Sequence, residues 1–117
     1  MIVSADVCPV DLADGLARAG DDRAFYRELL DLFLDDARQR LVHLEAALSA
    51  GDLTQVASTA HSIKGAAANL AAERARALAW AIESRARAGD SAGLAELAGE
   101  LAAELERVAD FTRSFTA

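Results

Sequence analysis

Apolar residues recur every three or four positions along most of the chain, and this period predicts helices throughout. After an irregular lead-in over residues 1–8, Pro9 opens a short first helix. Leu12, Leu16 and Ala17 fall at helical spacing in it, and Gly20 ends it. Asp21 or Asp22 caps a long second helix running to about Ser49. Its apolar stripe is Phe25, Leu29, Leu32, Phe33, Ala37, Leu41, Leu44 and Leu48. Ala50-Gly51-Asp52 reads as a stop followed by a new cap. The third helix spans about Leu53 to Ala71, with Val56, Ala60, Ile63, Ala67 and Leu70 on its apolar face. The fourth covers about Glu73 to Ala88, with Ala75, Leu78, Ala79, Ile82 and Ala86 inward. Gly89-Asp90-Ser91 repeats the stop and cap. A last helix carries Leu94, Leu97, Ala98, Leu101, Leu105, Val108, Thr112 and Phe115.

The connections are short, so neighbouring helices run antiparallel. The predicted fold is all-α: an antiparallel up-and-down four-helix bundle with a short additional N-terminal helix over one end. The junction between the third and fourth helices is the least marked. Ala71-Ala72 holds no glycine or proline, and only Asn69 nearby favours a non-helical conformation.

Composition narrows the picture. A length of 117 residues fits one domain, 1–117, and a hydrophobic fraction of 53% is enough for one core. Alanine and leucine dominate that fraction, which suits closely packed helices. The net charge of -7 and the scattered basic residues argue against nucleic acid and against an anionic membrane surface as partners. Met1 to Asp6 lacks the basic start and apolar run of a signal peptide, and no apolar run is long enough to span a membrane. The single cysteine, Cys8, forms no internal disulfide and fits a reducing cytoplasm.

Chemistry concentrates at Ala60-His61-Ser62-Ile63-Lys64-Gly65-Ala66-Ala67-Ala68-Asn69-Leu70. On a wheel of about 100° per residue with His61 at zero, Ile63, Leu70, Val56 and Ala67 fall at roughly 180–240°. Gly65 falls near 40°, Ala68 near 340° and Lys64 near 300° (all approximate). His61 therefore faces away from the core, beside two small residues and one cation. A glycine in mid-helix costs about 1 kcal/mol relative to alanine, so its presence there implies close approach of something to the backbone. Neutral imidazole is nucleophilic near pH 7 and accepts a phosphoryl group on a ring nitrogen. Lys64, one turn away, is placed to compensate the phosphoryl charge. The chain has no glycine-rich phosphate loop and no kinase signature, so the phosphoryl donor is expected to be another protein.

At these residues the sequence resembles the histidine-containing phosphotransfer (HPt) domains of bacterial phosphorelays, whose pattern is His-x-x-Lys-Gly followed by small residues and a turn. The likeness extends to Asp11 through Asp22, to Tyr26-Arg27-Glu28-Leu29-Leu30-Asp31-Leu32-Phe33 and to Ala50-Gly51-Asp52. It implies that His61 takes a phosphoryl group from a receiver-domain aspartate and passes it to another receiver. It also implies a phosphocarrier with no kinase site of its own and no cofactor bound by this chain, magnesium belonging to the receiver. The implied partners are response-regulator receivers and a hybrid sensor histidine kinase. The lone cysteine points to the cytoplasm, and one chain holds enough helices to complete the bundle, so a monomer is expected. Ala68, Ser62 and Ala57 are expected to meet the partner. By the same likeness Glu83 stands where the family places an acceptor for the imidazole, and Arg87 where a cation screens the phosphoryl group. The bland alternative is a surface Glu83–Arg87 ion pair. Where the family has glycine at the turn after the active helix, this chain has Ala71; it is expected either to turn without a left-handed residue or to let the helix run on.

His43 has no comparable neighbours and reads as a half-exposed structural residue. His43, His61 and Cys8 lack metal-ligand spacing. Trp80 reads as a packing residue or a rim anchor, and Asp31, Asp35 and Asp36 as a solvated face. Two rival functions stay open here: a scaffold that docks a receiver or kinase without being phosphorylated, and the dimerisation module of a histidine kinase. The latter normally has an acidic residue after the histidine, where this chain has Ser62.

Overall fold

A computed structural model of the chain describes residues 8–115, and most of the lead-in lies outside them. Within them are five helices: α1 (Leu12–Arg18), α2 (Arg23–Ser49), α3 (Leu53–Asn69), α4 (Glu73–Arg87) and α5 (Leu94–Ser114). Helix α2 packs on α3 and α5, and α4 packs on the same two, so α2 to α5 close a four-helix ring in chain order. The predicted bundle is the observed one. None of the described helices is long and apolar enough to cross a membrane.

Three aspartates start three helices. The carboxylates of Asp11, Asp22 and Asp52 accept from the backbone N–H of Asp14, Phe25 and Gln55 respectively. Helix α1 thus begins at Leu12 under Asp11, not at Pro9. Its buried positions are Gly15 and the following Ala19, while Ala17 is exposed. Helix α5 also starts later than the Asp90-Ser91 signal suggests. Asp90 is spent on a local turn, accepting from Ala92 N–H at 3.0 Å, and the helix opens at Gly93 with φ +75°.

The first half of α2 corrects the predicted stripe. Phe25 and Leu32 are 46% and 67% exposed, and Leu29 is half-buried. Phe33 and Ala37 of that stripe are buried as expected, but Tyr26, Leu30 and Leu34 take the inward positions of the others. Two apolar tracks overlap in this stretch, and Tyr26 decides between them. Its ring lies against Gly15, where an added Cβ would come within 2.4 Å of the hydroxyl oxygen. Its hydroxyl donates to the Leu70 carbonyl at 2.8 Å, and its ring meets Phe115 edge-on. Burial, helped by nearby acidic groups, pushes the Tyr26 pKa up to about 12.

That hydrogen bond anchors the α3–α4 turn. Helix α3 stops at Asn69, earlier than the predicted Ala71. Ala72 N–H reaches back to the Ala67 carbonyl at 3.0 Å, and Ala71 N–H to Ala68 at 3.2 Å. This closure requires a left-handed residue after the cap, and Ala71 supplies it with φ +58°. Neither a turn without a left-handed residue nor a run-on helix is seen. The Ala71 carbonyl accepts from Asp11 N–H at 2.8 Å, so α1 covers the end of the bundle that holds this turn.

Candidate functional site

His61 lies at the middle of α3 on its outer face, with its side chain 60% exposed. Ile63, Ala60 and Ala67 of the same helix are fully buried, which fixes the helix rotation that presents the ring to solvent. Gly65 is exposed, and a Cβ added there would meet nothing within 4 Å. The fold itself therefore does not need a glycine at this position. Ser62 and Ala68 are half-buried beside it. Ala57, expected at the partner surface, is only 3% exposed. It shares the His61 side of the wheel, but the end of α4 comes down against it, and it floors a groove with Leu53, Ala86 and Arg87.

The helix facing His61 is α4, and from it comes Glu83, only 6% exposed. Its Oε2 lies 3.0 Å from His61 Nδ1. The same oxygen accepts from Arg87 Nε at 2.9 Å, with Arg87 Nη2 also at 2.9 Å. Lys64 Nζ lies 2.8 Å from the other oxygen, Oε1. One carboxylate thus gathers the imidazole and both cations. Burial alone would raise the Glu83 pKa. The Lys64 ammonium, the Arg87 guanidinium and the His61 ring outweigh that and hold it at about 2, below its ordinary 4.5.

An ionised carboxylate only accepts hydrogen bonds. The Nδ1 atom at 3.0 Å must therefore be the donor, which makes the ring the Nδ1–H tautomer. The lone pair is then on Nε2, on the exposed side of the ring. Counting ionised groups, one carboxylate meets two cations, so the cluster carries an excess positive charge in a chain of net charge -7. A nucleophilic nitrogen beside surplus cations is suited to receive an anionic electrophile.

Sequence reasoning placed His61, Lys64 and Gly65 on one surface, and the resemblance pointed to Glu83 and Arg87. The structure brings all of them together except Gly65, which borders the cluster without joining it. Neither source anticipated that Lys64 shares Glu83 with Arg87. The Glu83–Arg87 pair of the bland reading is present at 2.9 Å, but Glu83 is buried and also meets His61 and Lys64, so it is more than a surface pair. His43 is exposed on α2, and Trp80 is 56% exposed, so it is no core packing residue. Among the described residues no group of three or more His, Cys, Asp or Glu side chains is arranged to hold a metal ion.

The sequence profile of the Hpt domain matches residues 28–111. The fold matches the crystal structure of histidine-containing phosphotransfer protein B (HptB) from Pseudomonas aeruginosa PAO1. That match has a TM-score of 0.85 and 29% sequence identity, and it covers 92% of this chain and 94% of the other. A comparison with curated proteins gave no match. The matched profile spans well over half of the chain and includes α3 and α4, which carry the cluster. The chain therefore belongs to the Hpt domain family, the histidine phosphocarriers of phosphorelays.

Proposed function

We propose that His61 is the phosphoacceptor, charged by the aspartyl phosphate of one receiver domain and discharged onto the aspartate of another. The observation that carries this is the Nδ1 hydrogen bond to Glu83, which leaves Nε2 as the free nucleophile on an exposed ring. The Nε2 lone pair attacks phosphorus, a P–N bond forms, and the P–O bond to the aspartate breaks. The leaving carboxylate keeps the electron pair, and no proton has to leave Nε2. Positive charge developing on the ring is stabilised by Glu83, which holds the Nδ1 proton. Lys64 and Arg87 turn from Glu83 toward the phosphoryl oxygens as that charge arrives. Glu83 is a positioning residue: it sets the tautomer and holds both cations in reserve.

Magnesium belongs to the receiver in this scheme. The chain works as a cytoplasmic monomer between receivers, one of them attached to a hybrid sensor kinase. Gly65, Ala68 and Ser62 give the partner close access to the ring. The apolar groove lined by Leu29, Leu32, Phe33 and Ala66 receives its surface on the α2 side.

The test is incubation with phosphorylated receiver domains, with His61→Gln as control. Acid-labile, base-stable label on the wild-type protein alone is the expected result. Label retained on His61→Gln, or no label from a panel of receivers, sinks the assignment and leaves a docking scaffold.

A further inference from the structure

Trp80 is the only tryptophan of the chain, and it is 56% exposed on α4. Large aromatic side chains are costly to leave in water, and one placed beside a reactive cluster invites a contact that removes it. Its position relative to the site follows from helix geometry. Taking Glu83 as zero, Arg76, Arg87 and Trp80 fall at about 20°, 40° and 60°, one narrow stripe of α4. Trp80 is three residues before Glu83, or about 4.5 Å along the axis. The indole therefore stands on the rim of the His61 cluster, on the side opposite the α2 groove. Leu32, 67% exposed, lines the groove on the α2 side. A protein surface that closes over His61 has to meet both edges.

The charge of this rim selects the partner. Lys64 and Arg87 are held by one carboxylate, Glu83, and Arg76 pairs with Glu73 at 2.9 Å. Three cations thus meet two carboxylates around Trp80, a locally positive patch on a chain of net charge -7. A phosphoryl donor that uses magnesium must surround its aspartate with further carboxylates to hold the ion. Its mouth is acidic, and the α4 rim is complementary to it. Tryptophan beside arginine is also the composition of interface hot spots.

We propose that Trp80 is a docking anchor that seats the receiver's acidic active-site mouth against α4 and so helps set which receivers this chain serves. The inference rests on the phosphoacceptor reading above. Trp80 acts on encounter and not on the chemistry at Nε2.

Trp80→Ala and Trp80→Phe are compared with the wild type in two reactions. Phosphoramidate, a small donor that needs no docking, labels all three equally. With the phosphorylated receiver that charges the wild type, Trp80→Ala raises the half-saturating concentration about tenfold or more at an unchanged maximal rate, and Trp80→Phe recovers part of the loss. An unchanged half-saturation overturns the proposal, as does an equal loss with phosphoramidate. A third arm is independent of phosphorylation. Trp80 fluorescence in His61→Gln is quenched by acrylamide, and a tryptophan-free receiver domain protects it. Absence of protection from any receiver, or protection by self-association of the protein alone, overturns the anchor. A wild type that neither donor labels overturns the His61 reading instead, and the fluorescence arm then still decides Trp80.

Discussion

Replacing Glu83 by glutamine keeps the shape of the side chain and removes the charge that three groups share. The wild-type carboxyl is held at about 2, below the ordinary 4.5. At about 1.4 kcal/mol per pH unit, that difference contributes about 3 kcal/mol to folding at neutral pH. The sign follows from the direction. A carboxyl whose folded pKa is depressed stabilises fully above 4.5, and the contribution fades as pH falls toward about 2. Glu83→Gln lacks this group, so up to about 3 kcal/mol separates the two proteins at pH 7, and the gap narrows to about 1 kcal/mol at pH 3. Every other carboxylate titrates in both and cancels in the comparison. Urea unfolding followed by circular dichroism at several pH values measures the gap. A gap that is the same at pH 7 and pH 3 refutes the claim that this carboxylate is ionised and shared in the folded state. The same variant frees the imidazole from its fixed tautomer, so its rate of phosphoryl uptake falls as well.

Other variants test separate joints of the structure. Gly15→Ala forces a methyl group to within 2.4 Å of the Tyr26 hydroxyl and destabilises the fold by about 1–3 kcal/mol, read by chemical denaturation. Ala71→Gly relieves a left-handed alanine, about 1–2 kcal/mol, but gives up a fully buried methyl and frees the unfolded chain, so the two sides nearly cancel and stability changes by less than about 1 kcal/mol; a loss of about 2 kcal/mol or more contradicts the strain argument. Lys64→Ala slows phosphoryl transfer to His61 about tenfold and also lowers stability by about 1 kcal/mol, since Lys64 is foremost among the groups that hold the buried Glu83 ionised. An unchanged transfer rate removes Lys64 from the mechanism.

The bundle was legible because its signals are local. Asp22 and Asp52 cap where they stand, Gly51 stops α2, and the wheel through Ile63 and Ala67 fixes the side on which His61 emerges. The misreadings share a cause, which is that neighbouring helices compete for a residue. Phe25, Leu29 and Leu32 form as good a stripe as Tyr26, Leu30 and Leu34, and only the seat of Tyr26 between Gly15, Leu70 and Phe115 chooses between them. Ala57 has the spacing of a surface residue and is covered by α4. Alanine at position 71 carries no left-handed signal of its own, because the conformation is imposed by a three-residue turn tied to Asp11 and Tyr26; only the glycine that the family has there hints at it. At the site, the cross-helix meeting of Lys64 with Glu83 is a matter of packing register. No periodicity within α3 or α4 encodes it.

The central claim is that Glu83 fixes the proton on Nδ1 of His61 and leaves Nε2 to take the phosphoryl group. The most direct measurement is nuclear magnetic resonance of the ¹⁵N-histidine-labelled protein after phosphorylation by phosphoramidate. Long-range ¹H–¹⁵N correlations and ³¹P coupling identify the ring nitrogen that carries phosphorus, and His43 serves as an internal comparison. The account predicts phosphorus on Nε2 of His61, with the Nδ1 proton retained toward Glu83. Phosphorus on Nδ1 of His61, or on His43 in preference to His61, contradicts it.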